Sequence, residues 1–237
     1  MFQGYELPPV DDEDPSQGRG PVIRTAYPSE AEKLTATVVA GCSDMPLCEW
    51  LAPDAARRRG VLTGYFRILV THLLDHGYVE VVDGERLPLA VAGWLPANAP
   101  PTPPDYAEQL ALATSPWADR FRALDDEAAR TRAHGHRRLV FLAVFPRAQR
   151  GGLGSALLGH HLRGLDDRGI RASVEAVGVQ AVSFYRKHGF SAHGTPIAVA
   201  VTPDAECVLT PMRRSPRPRV GITAATRSAS RSGTPSS

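Results

Sequence analysis

Apolar and polar positions alternate in short segments along the chain, around one dense apolar run near residue 140. Val22-Ile23-Arg24-Thr25-Ala26 reads as a short first strand. Ser29-x-x-Glu32 has the spacing of a capping box, and Leu34, Val38, Val39 and Cys42 then recur on one helical face until Asp44-Met45-Pro46 breaks the pattern. A longer helix is predicted from about Pro53, well suited to a first helical position, to His76, with Gly77 as its stop. Its apolar stripe is Val61, Leu62, Tyr65, Phe66, Leu69, Val70 and Leu73. Tyr78 to Val82 and Leu87 to Trp94 read as two strands of a hairpin turned by Asp83-Gly84, and Pro88 marks an edge or a bulge. A Pro-rich linker from Ala97 to Asp105 leads into Tyr106 to Arg132, which is helical and less clearly amphipathic.

The dense run is Leu139-Val140-Phe141-Leu142-Ala143-Val144-Phe145, stopped by Pro146. Gln149-Arg150-Gly151-Gly152-Leu153-Gly154 follows, and Ala156-Leu157-Leu158 opens a helix that ends near Gly169. Strand, glycine-rich turn and helix in that order leave several backbone N–H groups unpaired at the positive end of a helix dipole. The glycines remove side chains that would keep a phosphate away, so the stretch suits a pyrophosphate. The glycines alone leave a plain tight connection as an equal reading. A Walker loop is excluded, because it needs Gly-Lys-Ser/Thr where the chain has Gly154-Ser155-Ala156. A dinucleotide fingerprint wants G-x-G-x-x-G, and the order here is Q-x-x-G-x-G. Ala172 to Ala176 is the next strand, Val179 to Lys187 a short helix, and strands near Ile197 to Val201 and Cys207 to Met212 complete the pattern.

The 237 residues fit one domain with a sizeable core, and the apolar fraction of 43% is globular. The net charge of +2 hides a segregation: five acids and one arginine lie up to Arg19, and six arginines with no acid from Arg213 onward. Between these ends 20 basic residues face 20 acidic ones, so the body has no electrostatic footprint for nucleic acid. Residues 1–20 and 215–237 are compositionally suited to disorder, leaving 21–214 as the folded domain. Cys42, Cys48 and Cys207 form no C-x-x-C pattern and argue for a reducing compartment. The acidic start is no signal peptide, and no apolar run approaches the roughly 20 residues that span a membrane. A soluble cytoplasmic protein with no membrane partner is expected.

Gln149-x-x-Gly152-x-Gly154, after a strand ending Val144-Phe145-Pro146, resembles the acetyl-CoA motif of the GNAT superfamily of N-acetyltransferases. A second block, Ala181-Val182-Ser183-Phe184-Tyr185-Arg186-Lys187-His188-Gly189-Phe190, resembles the superfamily's A-x-x-[FL]-Y-x-x-x-G-F, with one helix and one strand between the blocks. Within the superfamily the chain looks most like the puromycin N-acetyltransferase type, through Ala92-Gly93-Trp94-Leu95-Pro96, Ser173-Val174-Glu175-Ala176 and Cys207-Val208-Leu209-Thr210-Pro211-Met212. The resemblance covers roughly Pro21 to Arg214. It implies an α/β (α+β) fold, with a mixed, mostly antiparallel central sheet, splayed fourth and fifth strands, and flanking helices. It also implies acetyl-CoA as co-substrate, no metal, and a small-molecule amine as acceptor, an antibiotic or a biosynthetic intermediate. Acetylation of a protein or peptide amine, and a non-catalytic CoA-binding module, are the alternatives. A monomer or homodimer is expected.

Amide formation from a thioester needs a neutral amine, stabilisation of an oxyanion and a proton for the departing thiolate. No H-E-x-x-H, G-x-S-x-G or cysteine-based metal spacing occurs. By resemblance, Gln149, Arg150, Gly151, Gly152, Leu153, Gly154 and Ser155 cradle the phosphates. The backbone of Leu142, Ala143 and Val144 holds the pantetheine, with an N–H near Ala143 or Val144 on the thioester oxygen. Tyr185 then donates to the thiolate; taken alone it would read as a core tyrosine. Many relatives carry Asn seven or four residues before this tyrosine, where this chain has Gly178 and Ala181. Glu175 is the candidate base, with Glu80 and His136 as rivals. Tyr65 and His72 are candidates for lining the acceptor site, and the segment inserted between the third and fourth strands is expected to set selectivity.

Overall fold

The computed structural model describes residues 20–202 and 205–217. The expectations for the far ends, 1–19 and 218–237, lie outside the described residues. Strands β1 (Ile23–Thr25), β2 (Tyr78–Val82), β3 (Ala90–Leu95), β4 (Arg137–Val144), β5 (Ala172–Val177), β6 (Ser191–Ala192), β7 (Ile197–Thr202) and β8 (Ala205–Arg214) form one sheet. The order is β1-β2-β3-β4-β5-β8-β6, with β7 continuing beside β8 beyond β6. Every pairing is antiparallel except β4 with β5.

That parallel pair holds only from Arg137↔Ala172 to Leu139↔Val174. Beyond it β4 stays on β3 and β5 stays on β8, so the two strands part and a gap opens toward their C-terminal ends. The mixed sheet with splayed fourth and fifth strands is therefore as expected.

Helices cover both faces. On one face α6 (Leu153–Asp167) and α7 (Gly178–Lys187) bury Leu157, Leu158, Leu162, Leu165, Val182 and Tyr185 against Ala90, Ala92, Trp94, Leu139, Val174 and Met212. On the other lie α1 (Ala31–Cys42), α2 (Pro46–Leu51), α3 (Ala55–His76), α4 (Tyr106–Thr114) and α5 (Ala118–Thr131), packed over Leu62, Tyr65, Leu110 and Phe121. Truncating a fully buried side chain such as Leu62 or Leu158 costs about 2–5 kcal/mol, so both layers hold the sheet's shape firmly.

Several element starts differ from the sequence reading. Pro28 begins a 3₁₀ turn ahead of α1, and Glu30 accepts from Tyr27 N–H at 2.7 Å, so Ser29 and Glu32 form no capping box. Asp54, not Pro53, starts α3, because its carboxylate accepts from Ala56 and Arg57 N–H. The first helix does end before Asp44-Met45-Pro46, at Cys42, and Pro46 then opens the unexpected short helix α2, since a helix's first position needs no N–H. Residues 83–89 form a longer loop than the expected two-residue turn, and Pro88 stays outside β3. The segment 106–132 is two helices, broken at Ser115-Pro116. Among the described residues, no helix is long and apolar enough to cross a membrane.

Candidate active site

The glycine turn connects β4 to α6. Gly152 caps α6 with φ +82°, a left-handed conformation, and a side chain there would meet nothing within 4 Å. Arg150 also has positive φ, 64°, unusual for a residue with a side chain. The first backbone hydrogen bond of α6 runs from Ala156 N–H to Gly152 O, so the N–H groups of Leu153, Gly154 and Ser155 have no intrahelical partner. Open space, free N–H donors and a helix start are what a phosphate requires. Gln149 spends its side chain locally, donating from Nε2 to Val144 O at 3.1 Å. Ser155 Oγ lies 3.2 Å from His188 Nε2, a contact that ties the start of α6 to the end of α7.

A groove of about 310 Å³ lies along α7, lined by Val179, Gln180, Ser183, Phe184 and Lys187. Phe184 also lies by the glycine turn, with its ring 3.8 Å from where a Cβ on Gly154 would sit. The family-level pattern picked out the Phe184-Tyr185 core of α7 but not the polar face beside it.

The edge of β4 faces the gap. Phe145 N–H bonds Leu89 O, and the register pairs Val91 with Ala143 and Ala90 with Val144. Antiparallel alternation therefore turns the amide of Ala143 toward β3 and those of Leu142 and Val144 into the gap. Between the two residues expected to face a thioester oxygen, the ladder leaves Val144. Helix α1 approaches this strand end closely: a Cβ on Gly41 would lie 3.1 Å from Val144 O.

Tyr185 lies on α7, in the core that packs this helix on the sheet, near enough to Glu175 to feel its charge. It is buried, with Phe184 and Phe190 edge-on to its ring, and its hydroxyl has no hydrogen-bond partner among the described residues. Burial, and then the charge of Glu175, push its proton affinity above the ordinary phenol range. Glu175 lies on β5 one residue past the last parallel bridge, where the strands part. Burial raises its pKa above the ordinary carboxylate range, and the charges of Arg138 and Arg132 oppose that rise.

The rivals sit elsewhere. Glu80 is on the α6 face of the sheet, held between His160 Nδ1 at 3.2 Å and His161 Nδ1 at 3.3 Å. His136 is buried at the closed end of the β4–β5 pair, Nδ1 3.2 Å from Ala172 O. His72 Nε2 lies 2.8 Å from Pro100 O and fastens the linker to α3, away from the gap. Tyr65 sits in the core of the α3–α5 layer: its hydroxyl donates to Asp125 Oδ1 at 3.2 Å, and Tyr106 donates to Oδ2 at 2.5 Å. This clasp joins α3, α4 and α5. Burial raises the Asp125 pKa, opposed first by the two phenols and then by Arg138 and Arg132. Asp125, Arg132 and Arg138 carried no sequence signal, because nothing local marks residues that meet only in three dimensions.

A mixed sheet whose parallel central pair splays beside a glycine turn is the GNAT acetyltransferase fold. Residues 121–192 match the family described as Acetyltransferase (GNAT) domain. None of the curated proteins matches the sequence. Among solved structures, the chain is similar to "histone acetyltransferase HPA2 and related acetyltransferase" from Corynebacterium glutamicum, at 21% identity and a TM-score of 0.60 over 86% of this chain and 100% of that one. It is also similar to arylalkylamine N-acetyltransferase 2 from Aedes aegypti, at 15% identity and a TM-score of 0.58 over 84% and 100%. Residues 121–192 thus match a GNAT acetyltransferase domain, and the likeness of the wider chain to these solved structures is one of fold.

Proposed function

We propose that this chain acetylates a primary amine of a small molecule, with acetyl-CoA as donor and by direct attack of the amine. The observation that carries the reading is the β4–β5 gap with Glu175 where the strands part, and Tyr185, its hydroxyl partnerless among the described residues, near enough to feel that charge. Bound acetyl-CoA supplies an activated acyl group. The open turn around Gly152 and the free N–H groups of Leu153, Gly154 and Ser155 fit its phosphates, and Leu142 and Val144 offer amide edges for its pantetheine.

Each residue then has one task. Glu175 accepts the proton of the attacking amine; burial suits it, because a carboxylate with raised pKa is a stronger base. Val144 N–H stabilises the negative charge that develops on the attacked carbonyl oxygen. Tyr185 gives its proton to the departing sulfur, and its raised pKa keeps the phenol protonated at neutral pH. The segment between β3 and β4 folds over α3 as α4 and α5, which supports a walled pocket and so a small acceptor over a protein tail. Three unbridged thiols support a reducing compartment. A thiol-release screen of acetyl-CoA against a panel of amines, including puromycin and aminoglycosides, tests the reading. Acetyl-CoA binding without turnover on any amine would leave only a CoA-binding module.

A further inference from the structure

On the face of the sheet that carries Glu175, one row of cross-strand neighbours is Arg138 on β4, Ser173 on β5 and Arg213 on β8. Partners in register point to the same side of a sheet, so the two arginines flank the serine. Ser173 is only 4% exposed, and its Oγ is buried without a hydrogen-bond partner. Arg132, just after α5, feels the charges of Arg138, Glu175 and Asp125, and its buried Nε also lacks a partner. Among the described residues none of these three arginines forms an ion pair. Asp125, whose charge Arg132 also feels, accepts from Tyr65 and Tyr106 instead. A cavity of about 630 Å³ opens beside the row, lined by Arg130, Arg132, His193 and Arg213, and its one acid, Glu127, is paired with Arg130.

Guanidinium groups on one face without an ion pair, together with an unpartnered buried hydroxyl, leave donors unused, since Glu175 acts on Arg138 and Arg132 through its charge alone. Unpaired, such groups carry the cost of desolvation, and an anion would remove it. Glu175 is two residues along β5 from Ser173, on the same face, which is about 6.6 Å. We propose that the acceptor is an amine that also carries an anionic group, a carboxylate or a phosphate. That group docks among Arg132, Arg138, Arg213 and the Ser173 hydroxyl, and its amine is presented one row further on to Glu175. This rests on the N-acetyltransferase reading above and specifies its substrate.

The test is a series of ω-amino acids of increasing length, from glycine to 6-aminohexanoate, each measured against the uncharged amine of equal chain length. Aminoalkylphosphonates form a parallel arm and separate a carboxylate source from a phosphate source. The anionic member of a pair is expected to have a kcat/KM roughly tenfold or more higher, as a charge-assisted hydrogen bond provides. The preference should peak at an intermediate length and fall in Arg132→Gln and in Arg213→Gln. Retained acetyl-CoA affinity and an unchanged circular-dichroism spectrum verify that each variant is folded. Equal or better turnover of the uncharged members, or a preference that survives both variants, overturns the anionic acceptor and leaves N-acetylation standing. Failure of every amine in the wider screen despite acetyl-CoA binding overturns the enzymatic reading, and this inference with it.

Discussion

In the proposed site the donor side of the gap is built from main-chain groups with one side chain, Tyr185, and the acceptor side from side chains. On the donor side, one continuous stretch from Leu142 to Ser155 supplies strand amides, an open left-handed turn and a helix start. On the acceptor side, Tyr65, Tyr106, Asp125, Arg132, Arg138 and Glu175 arrive from α3, α4, α5, the segment after it, β4 and β5. Main-chain donors fix what kind of ligand binds and tolerate much change in side chains. Side chains from six places can be exchanged one at a time, so one donor can serve many acceptors.

The sharpest way to break this comparison is Tyr185→Phe, which removes a side-chain role from the donor side. The ring and its contacts with Phe184 and Phe190 remain, so acetyl-CoA affinity should hold. The rate should fall by roughly 10²–10⁴ in steady-state kinetics, the worth of a positioned proton donor. The low end applies where departure of the thiolate is not limiting. A variant that keeps more than about half the rate while chemistry limits turnover would make the tyrosine structural.

Gly152→Asp comes next. Asp tolerates the left-handed region better than most residues, and the site is sterically open, so the fold should survive. A carboxylate among free N–H groups meant for phosphate should lower acetyl-CoA affinity by well over roughly tenfold in calorimetry, by repulsion and by occupying the donors. Unchanged affinity would remove the turn from the donor site.

A smaller effect separates the two sides electrostatically. A base works when ionised, and burial has raised the Glu175 pKa, so activity should be lost, as pH falls, at a less acidic pH than an ordinary carboxylate would give. Arg138 opposes that rise. Arg138→Gln should therefore shift the acid limb of the kcat/KM profile to higher pH, with the difference closing at alkaline pH. An uncharged amine is the right substrate here, because it reports on Glu175 without involving the anion row. No shift would mean that another group sets the acid limb.

The smallest effect expected is none. A chain shortened to residues 20–217 retains the full sheet and the bond from Arg217 N–H to Asp166, and should melt at the same temperature with the same acetyl-CoA affinity. A loss of either would show that the ends contribute to the domain.

The same contrast explains what could be read from the residues alone. Strand, turn and helix around Gly152 are local, and their spacing in sequence is their spacing in space, so this half of the site was legible before any coordinates. Glu175 was singled out by the resemblance of Ser173-Val174-Glu175-Ala176 to a family block. The Tyr65–Asp125–Tyr106 clasp was not, because α4 and α5 read as one unremarkable helix and no period in the sequence links residue 65 to residue 125. Element starts were missed where a proline's two roles compete, as at Pro46 and Pro53. Glu80 and His136, the rivals to Glu175, lie on the α6 face of the sheet and at the closed end of the β4–β5 pair.

The position of β8 bears on how the protein is made. Although it is the last strand among the described residues, it lies inside the sheet, with β5 on one edge and β6 and β7 on the other. Its terminal Arg214 is buried, grips both oxygens of Asp166 on α6 at 2.6 and 2.7 Å, and donates to His188 O just past α7. The helix that begins at the glycine turn and the helix that carries Tyr185 are thus both fastened from one late residue. On a ribosome adding roughly 5–20 residues per second, everything from β1 to β7 emerges before the strand that joins them. Until then the outer edge of β5 has no partner and can template pairing with another chain. Synthesis halted before β8 should therefore yield an aggregating fragment rather than a weakly active enzyme.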